Sequence, residues 1–219
     1  MPQEYRQKAM IQMKRKGLIV VVSGFSGTGK GTLMKALIAK YDNYALSVSA
    51  TTRNPRPGEE NGREYFFISD TEFEKMIAED GLIEHAGYCK HYYGTPKKYV
   101  EEQIEQGKDV ILEIEIQGAL QIKEKFPEAL LLFVMPPSVA ELEKRLKGRG
   151  TETDEVIHER MLRAKAESEG IEKYDYIVIN DQLDECVEQM NSIIDAAHYT
   201  PFRNRLFIED IREQLKQLG

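Results

Sequence analysis

The nine residues Gly24-Phe25-Ser26-Gly27-Thr28-Gly29-Lys30-Gly31-Thr32 constrain this chain more than any other stretch. An apolar run, Leu18 to Ser23, stands before them and predicts a buried strand; helix-period residues from Leu33 to Tyr41 follow. Glycine accepts positive φ, so successive backbone N–H groups of such a loop can turn inward around an anion. The helix N-terminus behind the loop adds the positive end of its dipole. Lys30 adds a point charge for the outer phosphates of a nucleotide. Gly24, Ser26, Gly27, Thr28, Gly29, Lys30, Gly31 and Thr32 are therefore the candidate phosphate binders. In the strict form of this loop Ser or Thr follows the lysine directly. Here Gly31 intervenes and Thr32 comes next, which weakens the case for a direct hydroxyl–Mg²⁺ bond. The plain alternative is a glycine-rich turn without a ligand, and a strand before and a helix after weigh against it.

The same alternation continues along the chain. Ala45–Ser49, Val110–Glu115, Leu130–Met135 and Tyr176–Ile179 read as strands, the last as a further buried one. Pro136 and Pro137 end the Leu130 run. Ser138 with Glu141 is a capping box that opens the next helix. Leu183, Val187, Met190, Ile194 and Ala197 fall at helical spacing. Strands and helices in alternation predict an α/β fold: a parallel sheet flanked by helices, with ligands beyond the carboxyl ends of the strands. Residues 51–93 break the rhythm. They are rich in Pro, Gly, aromatic residues and Arg, with strand-like pieces at Tyr65–Phe67 and Leu82–Gly87 and a capping box at Ser69 and Glu72. They read as an inserted mixed α/β lobe. The core is then 17–50 and 94–197, with a helical lid at about 140–168 hinged on the polar segment Gly148–Thr153. Residues 1–16 form a basic lead-in, and 198–219 a terminal amphipathic helix with Ile208, Ile211, Leu215 and Leu218 on one face, expected to pack on the core.

Composition narrows the partners. Of 219 residues 41% are apolar and 31% charged, which is ordinary for a globular protein. A net charge of −7 argues against nucleic acid as the default ligand, so an anionic substrate must be held by a local basic patch. No apolar run is long enough for a membrane, and the first sixteen residues lack the pattern of a secretory signal. Cys89 and Cys186 are too few and too far apart for a disulfide framework, which points to a reduced, cytoplasmic setting. Oligomeric state is left open, a homo-oligomer included.

Two guanidinium groups, Arg53 and Arg56, stand three residues apart beside prolines that stiffen their loop. With Tyr65 and Tyr93 they form a donor set that suits a phosphate monoester; a solvated basic loop with core tyrosines is the plainer reading. The stretch SVSATTRNPRPGEENGREY (Ser47–Tyr65), taken with IEHAGYCKHYYGTP, EIEIQG and RLKGRGTE, resembles guanylate kinase. The resemblance runs from about Gly17 to Ala197 and carries four separated motifs in the right order. It implies a P-loop core, a GMP-binding lobe and a lid, and an enzyme that transfers the γ-phosphoryl of ATP to GMP with Mg²⁺.

The resemblance also implies roles. Arg53, Arg56, Tyr65 and Tyr93 would hold the GMP phosphate. Ser49, Glu84, Thr95 and Glu115 match positions around the guanine, whose ring N–H and exocyclic amine offer two adjacent donors to a carboxylate. The family has Asp where this chain has Glu115. Arg145, Arg149 and Arg160 match lid and helix arginines that meet the transferring phosphoryl group, and with Lys30 and Arg53 they form the expected catalytic set. Asn180 matches a position beside the adenine. Thr32 and Glu113 are the candidates for holding Mg²⁺ through water. No general base is needed, because the nucleophile is a phosphate oxygen already anionic at neutral pH.

Two rival functions fit parts of the pattern. A guanylate-kinase-like interaction module would lose loop residues, yet Gly29, Lys30 and the lid arginines are present. A kinase for AMP or UMP conflicts with Glu84 and Ser49. His85, Cys89 and His91 could share one face of an extended segment, but three ligands without a fourth make a weak metal site.

Overall fold

The structure, a computed structural model, describes residues 16–88, 90–148 and 153–218. Cys89, Arg149 and the middle of the expected lid, 149–152, lie outside the described residues. In chain order the elements begin with β1 (Ile19–Gly24), α1 (Lys30–Lys40), β2 (Tyr44–Leu46), β3 (Ala50–Thr51), β4 (Phe66–Phe67) and α2 (Asp70–Ala78). There follow β5 (Leu82–Tyr88), β6 (His91–Pro96), α3 (Lys97–Glu105), β7 (Asp109–Glu113), α4 (Ile116–Lys125) and β8 (Leu130–Met135). The rest are α5 (Val139–Gly148), α6 (Asp154–Ser168), β9 (Tyr176–Ile179), α7 (Leu183–Ala197) and α8 (Arg205–Lys216). They fall into two compact units: residues 20–42 with 112–218, and residues 16–19 with 43–111.

In the first unit β1 and β8 pair in parallel, Val20 with Leu130 through Gly24 with Val134. Val20, Val21, Val22 and Leu131 to Val134 are fully buried, as continuous apolar runs in a parallel sheet require. β8 pairs in parallel with β9, Leu132 with Tyr176 through Met135 with Ile179. α1 lies against α7, and each buries an apolar stripe: Leu33, Met34 and Leu37 on one, Cys186, Val187, Met190 and Ile194 on the other. β9 is not the buried strand its composition predicts. Only Val178 is enclosed, while Tyr176, Ile177 and Ile179 are about half exposed, because β9 ends the ladder with a strand on one side only. α8 likewise departs from expectation: no residue of it is buried, so its apolar face is not packed on the core.

In the second unit β2 and β7 pair in parallel, Tyr44 with Asp109 through Leu46 with Ile111. The buried Asp109 carboxylate accepts from the Leu18 N–H at 2.8 Å. A separate small sheet has the order β4-β3-β6-β5, with β3 antiparallel to β6 and β6 antiparallel to β5. α2 covers it. Its capping box is complete: Ser69 Oγ accepts from the Glu72 N–H, and Glu72 Oε2 accepts from the Ser69 N–H at 2.8 Å. Phe73 is fully buried with Ala50 and Leu82, and its ring stacks on Tyr92 with centroids 5.3 Å apart. A Cβ on Gly94 would stand 3.0 Å from the Phe73 ring and 2.9 Å from the Glu84 carbonyl, so only glycine lets β6 pass under this helix.

Phe73→Ala is expected to cost about 3–5 kcal/mol, the usual range for emptying a buried aromatic site. Urea unfolding of the variant measures it. A loss below about 1 kcal/mol would mean the cluster is not packed in this way.

Candidate active site

The first unit holds the glycine loop between β1 and α1. Gly27 and Gly29 take φ of 93° and 84°, a region costly for other residues. Gly29 is also the N-cap of α1 and offers no side chain to the first turn, whose N–H groups have no partner within the helix, the arrangement that suits an anion. The loop is held from behind. Thr28 is fully buried, and its hydroxyl donates to the Phe25 carbonyl at 2.9 Å. Asn180, just past β9, donates from Nδ2 to the Thr28 carbonyl at 2.7 Å, and a Cβ on Gly29 would come within 2.7 Å of that same nitrogen. The Phe25 ring packs edge-on against Phe133, and Phe133 against Tyr174, at 5.1 and 5.0 Å. Burial pushes the Tyr174 phenol up to about 12, so it stays neutral in the wall of the site.

Cations gather at this loop. Lys30 Nζ donates to the Gly24 carbonyl at 2.6 Å and to the Phe25 carbonyl at 3.1 Å. Arg145 on α5 donates from Nε to Glu141 at 2.9 Å and from Nη1 to the Asn180 carbonyl at 2.9 Å. Arg160 on α6 donates to the Ser26 hydroxyl. Thr32 lies exposed on the first turn of α1.

Glu113 closes β7, but Glu115 does not continue it. The chain has already turned, and Glu115 is the N-cap of α4, so the two carboxylates do not alternate on one strand face as the sequence suggests. Arg163 donates to Glu115 at 2.8 Å and to Glu167 at 2.7 Å. Arg163 is a residue the sequence reading missed, although its position one helical turn beyond Arg160 puts both on the same side of α6. Glu113 keeps solvent access, yet crowding by protein raises its carboxyl pKa above 4.5. Lys30 opposes this and Glu115 adds to it.

The second unit contains Ser49 just before β3, Arg53, Arg56 and Tyr65 in the loop between β3 and β4, Glu84 on β5, and Tyr93 and Thr95 on β6; Glu115 belongs to the first unit. Glu84 on β5 is almost wholly buried, and its carboxylate accepts from the fully buried Thr95 hydroxyl on the neighbouring β6 at 2.7 Å. Arg53 lies 5.2 Å from the Tyr65 ring centroid and 5.5 Å from that of Phe67. Tyr65 and Tyr93 meet edge to face at 5.9 Å. Arg53 donates to both oxygens of Glu59, at 2.8 and 3.0 Å, and Arg56 donates its backbone N–H to the same carboxylate at 2.7 Å. The Arg56 side chain itself is exposed. Among the described residues no group of three or more His, Cys, Asp or Glu could hold a metal ion. Cys89 of the weak His85–Cys89–His91 candidate lies outside the described residues.

A glycine loop between a parallel strand and a helix, with a lysine at the helix start and arginines converging on it, is the architecture of α/β proteins that handle nucleotide phosphates. The family model described as guanylate kinase matches residues 16–197. The guanylate kinase of Caldanaerobacter subterraneus is 50% identical over 93% of this chain and 99% of its own length. That of Bacillus subtilis is 50% identical over 85% of this chain and 92% of its own. Among solved structures, the guanylate kinase of Anaplasma phagocytophilum superposes with a TM-score of 0.70 at 31% identity, covering 87% of this chain and 90% of its own. The chain belongs to the guanylate kinase family.

The Glu113 environment makes a prediction with a defined sign. Its pKa is raised on folding, so ionising it destabilises the folded state above the unfolded value of 4.5, and below that value the penalty disappears. Glu113→Gln should raise Tm at pH 7.5 and leave it nearly unchanged near pH 4, while lowering turnover. Calorimetry at the two pH values checks this. An equal shift at both would assign the effect to packing rather than charge.

Proposed function

We propose that the chain transfers the γ-phosphoryl group of ATP to GMP, giving ADP and GDP. Family membership supports the reaction. The observation that carries the choice of acceptor is the buried Glu84 carboxylate, fixed by Thr95 in the unit that also holds Arg53. A buried carboxylate suits a base edge with two adjacent donors, as guanine has. Adenine would set a lone pair against it.

The loop residues Gly24 to Thr32 would bind the ATP phosphates, chiefly through backbone N–H groups, since the Thr28 hydroxyl is turned inward. Lys30 would exchange its two loop carbonyls for phosphate oxygens. Arg145 and Arg160 would neutralise charge on the group in transfer, and Arg149 is assigned with them from the sequence. Asn180 would act by fixing the loop, because its amide is committed to Thr28. Arg53, Arg56, Tyr65 and Tyr93 would hold the acceptor phosphate, and Ser49, Glu84 and Thr95 the base; Glu115 is assigned with them from the sequence alone. Catalysis is then positioning and charge neutralisation, with no proton to remove from the nucleophile.

Magnesium binds such sites through one or two carboxylates, water and the nucleotide's own phosphates rather than through a protein cage. One carboxylate, Glu113, near the Lys30 charge and an exposed hydroxyl, Thr32, at the start of α1 fit that demand. When bound, the ion would offset charge on the phosphates. A cytoplasmic setting agrees with Cys186, a buried free thiol whose pKa burial pushes up to about 11. Among the described residues no helix is long and apolar enough to cross a membrane.

Two variants test the reading. Lys30→Met should fold normally and lose turnover by orders of magnitude, read by circular dichroism and a coupled ADP assay. Glu84→Gln turns one acceptor oxygen into a donor, so kcat/KM for GMP should fall on the order of a hundredfold while AMP changes far less. Equal losses for GMP and AMP would mean Glu84 does not read the base.

A further inference from the structure

Arg53 and Glu59 lie six positions apart in one loop, and exposed pairs of that kind contribute little to stability. This pair is of another kind. Its side chains expose only 13% and 17% of their surface, and its contact is bidentate. Glu59 is also tied to its own turn. Oε2 accepts from the Arg56 N–H at 2.7 Å, and the Glu59 N–H donates to the Arg56 carbonyl at 3.0 Å. The Arg53 fork and the Arg56 N–H hold the Glu59 carboxyl down to about pH 2, so it is ionised wherever the protein functions.

A guanidinium has five N–H donors. Glu59 takes one from each terminal nitrogen, and the Asn54 carbonyl takes the other on Nη1 at 2.8 Å. The remaining two, on Nε and Nη2, lie along one edge of the fork and match the spacing of two phosphate oxygens. The Tyr93 hydroxyl interacts with Arg53, and the Tyr65 ring packs against the guanidinium.

We infer that Glu59 is a positioning residue for the acceptor phosphate: it grips the far end of the Arg53 guanidinium and so presents the Nε/Nη2 edge, flanked by Tyr65 and Tyr93, to a phosphate monoester. This rests on the reading that Arg53 binds the acceptor. The contrary role is a stand-in anion that phosphate must displace. Displacement would break the Arg56 tether as well as both fork bonds, while an edge suited to phosphate lies on the other side of the same group. A guanidinium held in advance loses less rotamer freedom when the ligand arrives.

The test compares GMP with guanosine, which has the same base and sugar and no phosphate. Calorimetric Kd values are measured for wild type, Glu59→Gln, Arg53→Ala and the double variant. Glu59→Gln should weaken GMP about tenfold or more, the worth of a charge-assisted contact, and leave guanosine within about twofold. KM for GMP should rise with kcat little changed. In the Arg53→Ala background Glu59→Gln should add nothing. Glu59→Asp keeps the charge and shortens the reach, so it should give a smaller loss of the same selectivity and serves if the glutamine variant folds poorly. Tighter GMP binding by Glu59→Gln, or equal weakening of GMP and guanosine, overturns the positioning role. If Arg53→Ala weakens GMP but Glu59→Gln does not, the role of Glu59 alone falls. If Arg53→Ala leaves GMP binding intact, the acceptor-phosphate reading itself falls.

Discussion

Asn180 Nδ2 and the Thr28 carbonyl, 2.7 Å apart, hold the glycine loop around which Lys30, Arg145 and Arg160 gather. A loop built to expose backbone N–H groups has few side chains with which to fix itself, and its glycines lose more conformational entropy on folding than any other residue would. The fixing comes from outside the loop. Asn180 follows β9, and its own N–H donates to Met135 at the end of β8. The loop is thus tied to the carboxyl ends of two parallel strands, and Gly29 is glycine partly because a Cβ there would displace the Asn180 amide. Phe25 contributes from the other direction by anchoring its ring on Phe133. Preorganisation of an anion site is therefore a property of the sheet, and an amide far along the chain is as much a part of it as the lysine.

A chain of net charge −7 whose proposed substrates are a nucleoside triphosphate and a nucleoside monophosphate must keep its cations aimed without letting them collapse onto the nearest carboxylate. The structure uses carboxylates for the aiming. Glu141 holds Arg145 by Nε, which leaves the terminal nitrogens directed at the loop side through the Asn180 carbonyl. Glu59 holds Arg53 by both terminal nitrogens. Glu115 and Glu167 share Arg163. Each arginine retains its charge whatever the pairing, because a guanidinium does not titrate in the accessible range. What the acidic partners change is direction, and for phosphate recognition direction matters as much as charge.

The parts of this protein that were legible in the sequence are those fixed by local chemistry. The β1–loop–α1 unit, the end of β8 before Pro136 and the Ser69 capping box each follow from a few adjacent residues. The sequence reading passed over α3 and α4, because Lys97–Glu105 and Ile116–Lys125 each bury a face of three residues or fewer and carry no strong cap. The strand read as Val110–Glu115 therefore ran two residues too long and took Glu115 with it. β9 looked like a core strand because Tyr, Ile and Val favour strands at an edge as well as in the centre, and only the ladder shows which. Arg163 and Glu59 were invisible for a different reason. Each matters through a partner, and a charged residue in a polar stretch does not announce its partner. Family resemblance named the arginines expected to meet ligand and was silent on the carboxylates that hold them.

Glu84 and Thr95 show what the small four-stranded sheet of the second unit makes possible. A carboxylate buried to 4% exposure on a β-strand is a liability unless its oxygens are occupied, since desolvating a charge costs several kcal/mol and is offset only by well-placed hydrogen bonds. Adjacent antiparallel strands place Glu84 and Thr95 side by side, and the hydroxyl satisfies one oxygen at 2.7 Å. A loop could present the same residues, but it could not guarantee the spacing, and an error of an ångström would leave the charge unpaired. The requirement extends downward: β5 and β6 must run close, so Gly94 has no side chain, and the room so made is what Phe73 fills from α2. The Glu84–Thr95 contact thus reaches through a strand pair and a glycine to the packing of an aromatic ring in the core of the small sheet.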